Sequence, residues 1–442
     1  MKIAVVGAGI IGVTTAYELA ADGHQVIVFE RRGSVAAETS FANAGVIAPG
    51  YVTPWAGPGM PAKVLKHLLS RHAPVRLRGL PPGTLPWLWR WWQACQLGTY
   101  QANRIRMQRL AVFSRERLHA VTQKLQLVYE RSDGYLVLLR TREDLQMVQP
   151  GLASLAALGT RFEILDAAQC RLKEPGLSTE TELHGGIYLP DDEVGNCREF
   201  SHLLRGVAQN LGVQFRFGTQ VEQLIAGEPA QLVHSPVKAR EGERMSAFAH
   251  DTQPMDLGPV TEYFDAIVVC AAIGSNALLK PLGLSLPLQP VHGYSITASL
   301  RRSDAGTDIG PRSALMDERY KVAISRMGTR VRVAGSAEIG GSHTTLHQGA
   351  LDTLYKVLHD WFPGSAHLTQ ALTWKGARPM LPDGPPVLGR SGREGIWLNL
   401  GHGSSGWALS CGSARLLADA ITGRPAAIDM DGLGIERLRA TA

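Results

Sequence analysis

At 442 residues the chain is long enough for more than one hydrophobic core, and 45% hydrophobic with 19% charged residues is a globular balance. The net charge of +6 is concentrated: positions 63–124 hold twelve Lys or Arg against one acid, Glu116, but no zinc-finger spacing, RNP-like motif or repeat accompanies them, which argues against nucleic acid as a partner. Five cysteines without C-x-x-C pairing exclude a disulfide scaffold and fit a reducing, cytoplasmic compartment, and no uncharged apolar run reaches the ~18 residues of a spanning helix.

The chain opens on Lys2-Ile-Ala-Val-Val-Gly, which reads as a short buried parallel strand. Gly7, Gly9 and Gly12 follow at G-x-G-x-x-G spacing before the helix-like run Val13 to Ala21, and a second strand, Gln25 to Phe29, ends in Glu30. This is the pattern of a dinucleotide-binding turn. Gly7 allows the bend, Gly9 lets a pyrophosphate approach the backbone, and Gly12 lets helix and strand pack closely, while Ala8 and Ile10 bring N–H groups to the phosphates at the helix start. Glu30 suits the ribose hydroxyls of an adenosine and repels a 2′-phosphate. The motif alone leaves NAD and FAD open. The apolar N-terminus is not read as a cleaved leader, because Gly7 to Gly12 interrupts it and cleavage would remove the turn.

Arg31 lies where a second cofactor contact would be made. The loop Glu38 to Gly45 then offers small and hydroxyl residues, with Ser40 and Asn43 readable either as ligand contacts or as ordinary turn chemistry. Gly7 to Gly12, Glu30, Thr39-Ser-Phe-Ala-Asn-Ala-Gly45 and Pro49-Gly-Tyr51 together resemble the FAD-dependent D-amino acid dehydrogenases of the D-amino acid oxidase superfamily. The resemblance adds Ala44 and Gly45, Val221, and Ala271 and Gly274 of Val268-Val-Cys-Ala-Ala-Ile-Gly-Ser275 to the expected cofactor contacts.

Next comes Pro86-Trp-Leu-Trp-Arg-Trp-Trp92, holding four of the nine tryptophans inside the basic window. On a strand Trp87, Trp89 and Trp91 would share a face; on a helix they would be spread. Positions 63–117 therefore admit two readings, a peripheral membrane anchor and a packed roof over the active site with the arginines as a solvated face. Gln96 to Leu125 reads as a long helix with Ile105, Leu110, Val112, Phe113, Leu118, Val121 and Leu125 on its apolar face. Helices are also predicted over Glu143 to Leu158 and Glu199 to Leu211. The acids of Asp191 to Arg198 lack the alternation of a hard-cation loop and read as a solvated turn, so no metal site is expected. Gly227 to Tyr263, polar and proline-bearing, reads as an extended surface loop or hairpin, longer than the family's connection. Pro290 to Tyr294, Tyr320 to Ser325 and Arg330 to Ser336 read as successive antiparallel strands.

A second constellation closes the chain. Gly376-Ala-Arg-Pro-Met380 and a strand Ile396 to Leu400 precede Gly401-His-Gly-Ser-Ser-Gly-Trp407, which opens a helix to Ile421. N–H groups and a helix dipole at Gly401, His402, Gly403, Ser404, Ser405, Gly406 and Trp407 suit the isoalloxazine end of a flavin, and two such turns in one chain favour FAD over NAD. His402 is readable as a base or as a packing residue beside the flavin.

The resemblance implies an α/β fold: a glutathione-reductase-like Rossmann FAD domain (1–50, 196–286 and 373–442) with an inserted antiparallel-sheet α+β substrate domain (51–195 and 287–372). It implies oxidative deamination of D-amino acids to 2-oxo acids and ammonia, hydride passing from Cα to flavin N5 and electrons to a quinone or other respiratory acceptor at the inner face of the membrane. Arg378 is expected to clamp the substrate carboxylate and Tyr320 to be a second substrate contact. The alternatives are an oxidase or dehydrogenase of glycine, sarcosine or D-hydroxyproline in the same superfamily, and a nucleotide-binding module without catalysis.

Overall fold

The computed structural model describes residues 1–67, 72–237, 258–302 and 308–439. β1 (Lys2–Val6) pairs in parallel with β2 (Gln25–Phe29) on one side and with Ala266–Val269 on the other. All three are near-continuous apolar runs buried on both faces, as a central parallel strand requires. The six-stranded sheet runs Val387–Arg390, Ile396–Leu400, Ala266–Val269, β1, β2, Gln214–Arg216, so well-separated parts of the chain build it. The helix α1 (Ile10–Ala21) joins β1 to β2 and is buried on nearly every side beneath the helices Gly406–Thr422 and Cys197–Asn210.

A ten-stranded, mostly antiparallel sheet forms the second layer system. Its main path is Leu372–Met380, Gln289–Ser299, Arg330–Gly340, Val322–Met327, Ala314–Asp317, Arg131–Leu139, Gly185–Gly195, Val46–Ile47. Period-2 alternation gives it two distinct faces. Tyr294, Ile296, Ile324 and Val333 pack on the helix Gln348–Trp361. The intervening Ser295, Ser325 and Arg332 face the opposite way and donate to the carbonyls of Ala42 (2.8 Å), Ala44 (2.8 Å) and Asn43 (3.1 Å). The loop expected to pass a ligand is thus fixed by its backbone to this sheet. Two of the sheet's strands, 46–47 and 372–380, come from stretches the sequence reading placed largely with the FAD unit.

Several local expectations change. Asp191, Asp192 and Glu193 continue the strand Gly185–Gly195 instead of forming a solvated turn; Asp192 and Glu193 are buried, Glu193 against His119 and Arg131. The long helix, Leu97–Leu125, buries Asn103, Arg104, Gln108 and Ser114 beside Leu110, Leu118 and Val121, and leaves Ile105 exposed. Polar residues sit on its inner face because they reach backbone carbonyls and side chains of other segments: Asn103 donates to Asp383 and Gln108 to Thr160. The flanks of the 227–263 stretch form strands, Ala230–Pro236 and Val260–Phe264, in a three-stranded antiparallel sheet with Thr219–Ile225; residues 238–257 lie outside the described residues. No helix among the described residues is long and apolar enough to cross a membrane.

Candidate functional site

The three glycines of the first turn do different work. Gly7 has φ +102, and a Cβ there would sit 2.8 Å from the Cys270 carbonyl oxygen. At Gly12 a Cβ would fall 1.8 Å from the Gly7 oxygen. Both are demanded by the fold. Gly9 is not: its φ of −66° and ψ of 178° suit any residue, and the nearest protein atom to a Cβ is Ser40 Oγ at 3.5 Å. What a side chain at Gly9 would fill is the cavity beyond it.

That cavity measures about 360 Å³. Gly7, Gly9, Ile10, Glu30, Arg31 and Ser40 line one end; Val221, Ala271 and Gly274 line its flank; Gly401, His402, Gly403 and Gly406 line the other end. Glu30 Oε2 accepts from the Ala8 N–H at 2.7 Å and Oε1 from the Arg32 N–H at 2.8 Å. Burial raises the Glu30 carboxyl above its usual range, and these two N–H groups oppose the rise. Ser40 Oγ accepts from the Ile10 N–H at 3.1 Å and so caps α1 from 30 residues away. Arg31 and Arg32 are drawn to Glu38; burial works against that carboxylate, but the two guanidiniums outweigh it and hold it below its usual range.

The second turn is equally constrained. Gly401 (φ +78) and Gly403 (φ +57) pack against Leu381 and Met380, placing His402 between them. Ser413 Oγ donates to the Leu409 carbonyl at 2.8 Å, so the 3.0 Å contact from His402 Nε2 to Ser413 Oγ has the histidine as donor. Burial pushes this imidazole down to about 3. That direction, with the Ser413 contact, supports the packing reading of His402 over the base reading. Asn399 also lines the cavity, with Nδ2 on Thr15 (2.9 Å) and Oδ1 buried without a partner. An orphaned buried acceptor beside an open volume fits a bound ligand. The sequence reading missed Asn399, since an asparagine in an apolar strand carries no motif.

Some expected residues do not reach the cavity. Ala8 and Gly12 act behind it, through the Glu30 contact and the packing against Gly7. Asn43 turns its own loop, Oδ1 accepting from the Gly45 N–H at 3.0 Å, and a Cβ on Gly45 would strike Met327 at 2.3 Å; with Ala44 they are held against the larger sheet. Ser404 is exposed and Ser405 stands at the helix start. Trp407 turns inward: its Nε1 donates to the Gly195 carbonyl at 3.1 Å and its ring lies 5.0 Å from Phe200, so it anchors the helix and does not line the site. Tyr320 is also misplaced by the sequence reading. It sits in the turn before Val322–Met327, packed on Arg140 and Lys356 at the helix-covered side of the sheet, away from the loop 39–45.

Arg378 does not line the cavity either, but it is held one residue from its wall. It lies on Leu372–Met380 directly before Pro379, which lines the cavity, and after Ala377, whose carbonyl accepts from Thr39 Oγ1 at 2.7 Å. Its Nη1 donates to the Ser336 carbonyl at 2.9 Å, and its guanidinium covers Gly293, where a Cβ would fall 2.3 Å from Nη2. Burial alone lowers it to about 10; no carboxylate stands beside it among the described residues. A guanidinium taken from water without a counter-ion is poised for an anionic ligand.

The tryptophan segment is a helix, Thr84–Ala94. Trp87 and Trp91, four apart, face inward onto Val291, Ala337 and Met380, whereas Trp89 (58% exposed) and Trp92 (53% exposed) face solvent beside Leu85. Several of the arginines that follow are engaged by acids of other segments. Arg106 and Arg109 pair with Asp431 and Asp429 at 2.7 Å each, Arg117 pairs with buried Glu18 at 2.7 Å, and Arg104 is itself buried.

Known proteins agree with this architecture. The chain is 43% identical to a D-amino acid dehydrogenase of Cereibacter sphaeroides, covering 100% of this chain and 96% of that protein, and 42% identical to one of Rhizorhabdus wittichii, covering 99% and 100%. Among solved structures, glycine oxidase from Geobacillus kaustophilus superposes with a TM-score of 0.73 at 19% identity over 98% of this chain and 97% of that one. L-α-glycerophosphate oxidase from Mycoplasma pneumoniae, with FAD bound, gives 0.62 at 17% identity over 95% and 94%. Residues 2–420 match the family described as FAD dependent oxidoreductase, and with a glycine turn at each end of one cavity the chain belongs to that family and uses FAD.

Proposed function

We propose that this chain is a D-amino acid dehydrogenase in which Gly7 to Gly12 receive the FAD pyrophosphate, Glu30 the adenosine ribose, and the Gly401 to Gly406 turn the isoalloxazine. The bound flavin supplies the redox chemistry by accepting a hydride equivalent from the substrate Cα. The chain's own residues bind and orient. Arg378 takes the substrate carboxylate in its guanidinium fork, His402 stays neutral as a donor to Ser413, and the substrate amine enters unprotonated so that no side chain need act as base. The resulting imine is hydrolysed by water to a 2-oxo acid and ammonia. The same reading assigns 1–50, 196–286 and 373–442 to the FAD unit and 51–195 and 287–372 to the substrate unit.

The observation that carries it is Arg378, a partly buried guanidinium with no carboxylate partner among the described residues, one residue from Pro379 of the cavity wall. Anaerobic D-alanine should bleach the yellow holoenzyme and L-alanine should not. Arg378→Lys keeps the charge but loses the fork, and kcat/KM should fall by about 30-fold or more, roughly 2 kcal/mol. Unchanged kcat/KM in that variant would remove Arg378 from the site.

The electron acceptor in this reading is a membrane quinone, approached through Leu85, Trp89 and Trp92. Exposed aromatic rings on one helix face support it, because such rings favour the headgroup interface. Since Arg106, Arg109 and Arg117 are already paired, adsorption should depend weakly on salt. Co-sedimentation with liposomes at low and high salt tests this, and absence of binding under both conditions sends the acceptor elsewhere.

A further inference from the structure

We infer that Ser336 is a positioning residue for Arg378: a bulge in Arg330–Gly340 turns its backbone carbonyl onto one edge of the guanidinium and leaves the rest of the fork for the substrate. This rests on the carboxylate-clamp reading and adds the device that aims the clamp. The register of Arg330–Gly340 against Gln289–Ser299 runs His292 opposite Glu338 and then Tyr294 opposite Gly335, so Ser336 and Ala337 together face the single residue Gly293. The extra residue re-aims the chain locally. Ser336 takes up the irregularity with φ +57, a left-handed conformation unfavourable for any residue with a Cβ. It is buried, and its Oγ has no partner. Its carbonyl is the protein acceptor of Arg378, at Nη1, 2.9 Å. Of five guanidinium N–H donors, no other has an acceptor among the described residues. Gly293 completes the seat from below. A hydroxyl left unsatisfied and a backbone held in an unfavourable region persist where surrounding structure enforces them, and here both occur at the residue whose carbonyl holds the clamp.

The strand also changes neighbour at this point, pairing with Val322–Met327 up to Ala334 and with Val75–Arg78 from Ala337, so a purely architectural bulge must be separated from a positioning one. The probe is propionate, a carboxylate without an amine, titrated into holoenzyme and read by perturbation of the flavin spectrum. Ser336→Gly keeps the left-handed backbone and should bind propionate as wild type does. Ser336→Val disfavours that backbone and should weaken binding about tenfold, with full flavin content retained. In an Arg378→Ala background Ser336→Val should cause no further loss, which an architectural role would not give. Gly293→Ala, which pushes the guanidinium off its seat, should weaken propionate as Ser336→Val does and serves if the valine variant does not fold. Wild-type affinity in Ser336→Val or Gly293→Ala, or equal weakening by Ser336→Gly, overturns the inference. Wild-type affinity in Arg378→Ala overturns instead the clamp reading on which it rests.

Discussion

Gly9→Val isolates a glycine kept for a ligand from glycines kept for the fold. Nothing in the protein needs the missing side chain: φ is −66°, and the nearest atom to a Cβ is 3.5 Å away. In the apoprotein, valine loses the helix N-cap preference of glycine, about 0.5–1 kcal/mol. A stiffer unfolded chain returns about 0.4–1 kcal/mol. The two nearly cancel, so the apo forms of variant and wild type should agree within ~0.5 kcal/mol. The cofactor breaks the symmetry, because wild type with FAD at ~100 times Kd gains ~2.7 kcal/mol by mass action and the variant should gain nothing. Thermal unfolding of both apoproteins with and without added FAD, together with flavin absorbance after purification, reads all of this. A Gly9→Val protein that purifies with stoichiometric flavin refutes the assignment of the cavity. An apoprotein destabilised by more than ~2 kcal/mol shows the opposite error, a glycine serving the fold.

Asp192 makes stability depend on pH. Burial pushes its carboxyl up to about 7 despite the Gly50 N–H and Arg115; the folded chain holds this proton more tightly than the unfolded chain, whose carboxyl titrates near ~3.9, so the contribution is present at low pH and is lost as pH rises from ~4 to about 7. Asp192→Asn should match wild type near pH 4 and exceed it by a few kcal/mol (~) at pH 8, and parallel stability curves would contradict this. Lys375 donates to Glu338 (2.7 Å) and to the carbonyls of Ser342 and Thr345, just beyond the strand Arg330–Gly340. Removing it in Lys375→Met leaves the buried Glu338 carboxylate without its counter-ion, though still bonded by the Tyr294 hydroxyl, and urea unfolding should report a loss of about 3 kcal/mol. Replacing Trp89 and Trp92 together by serine should leave dye-linked turnover unchanged while abolishing liposome adsorption, and retained adsorption would locate the contact elsewhere.

The β1–α1–β2 unit could be read from residues because every signal in it is local: an apolar run, three glycines at fixed spacing, an acid at the next strand end. The turn at Gly401 was legible for the same reason. Trp407 was not, since a glycine-rich turn says where N–H groups are exposed but not where the next side chain packs, and its partners Gly195 and Phe200 are some 200 residues away. Tyr320 failed on the strand boundary. The strand begins two residues later, at Val322, and from the preceding turn its ring packs on the helix-covered side. The arginines of the long helix looked solvated because their acids, Glu18, Asp429 and Asp431, lie far off in sequence.

The Leu97–Leu125 helix belongs by position to the stretch before the larger sheet, yet it rests on the helix layer of the smaller one. Gly412 meets it so closely that a Cβ would stand 2.8 Å from Ser114 Cα, the Gly412 N–H donates to Ser114 Oγ at 3.1 Å, and Arg117 reaches across to Glu18 on α1. The two halves of the molecule are therefore sewn through one another instead of being joined at a flexible seam. Substrate exchange by a hinge swing would have to pull this helix out of its groove. For the same reason a protease nick near residue 130 should not liberate a flavin-holding fragment, and neither half could be grafted into another protein without carrying the helix of the other.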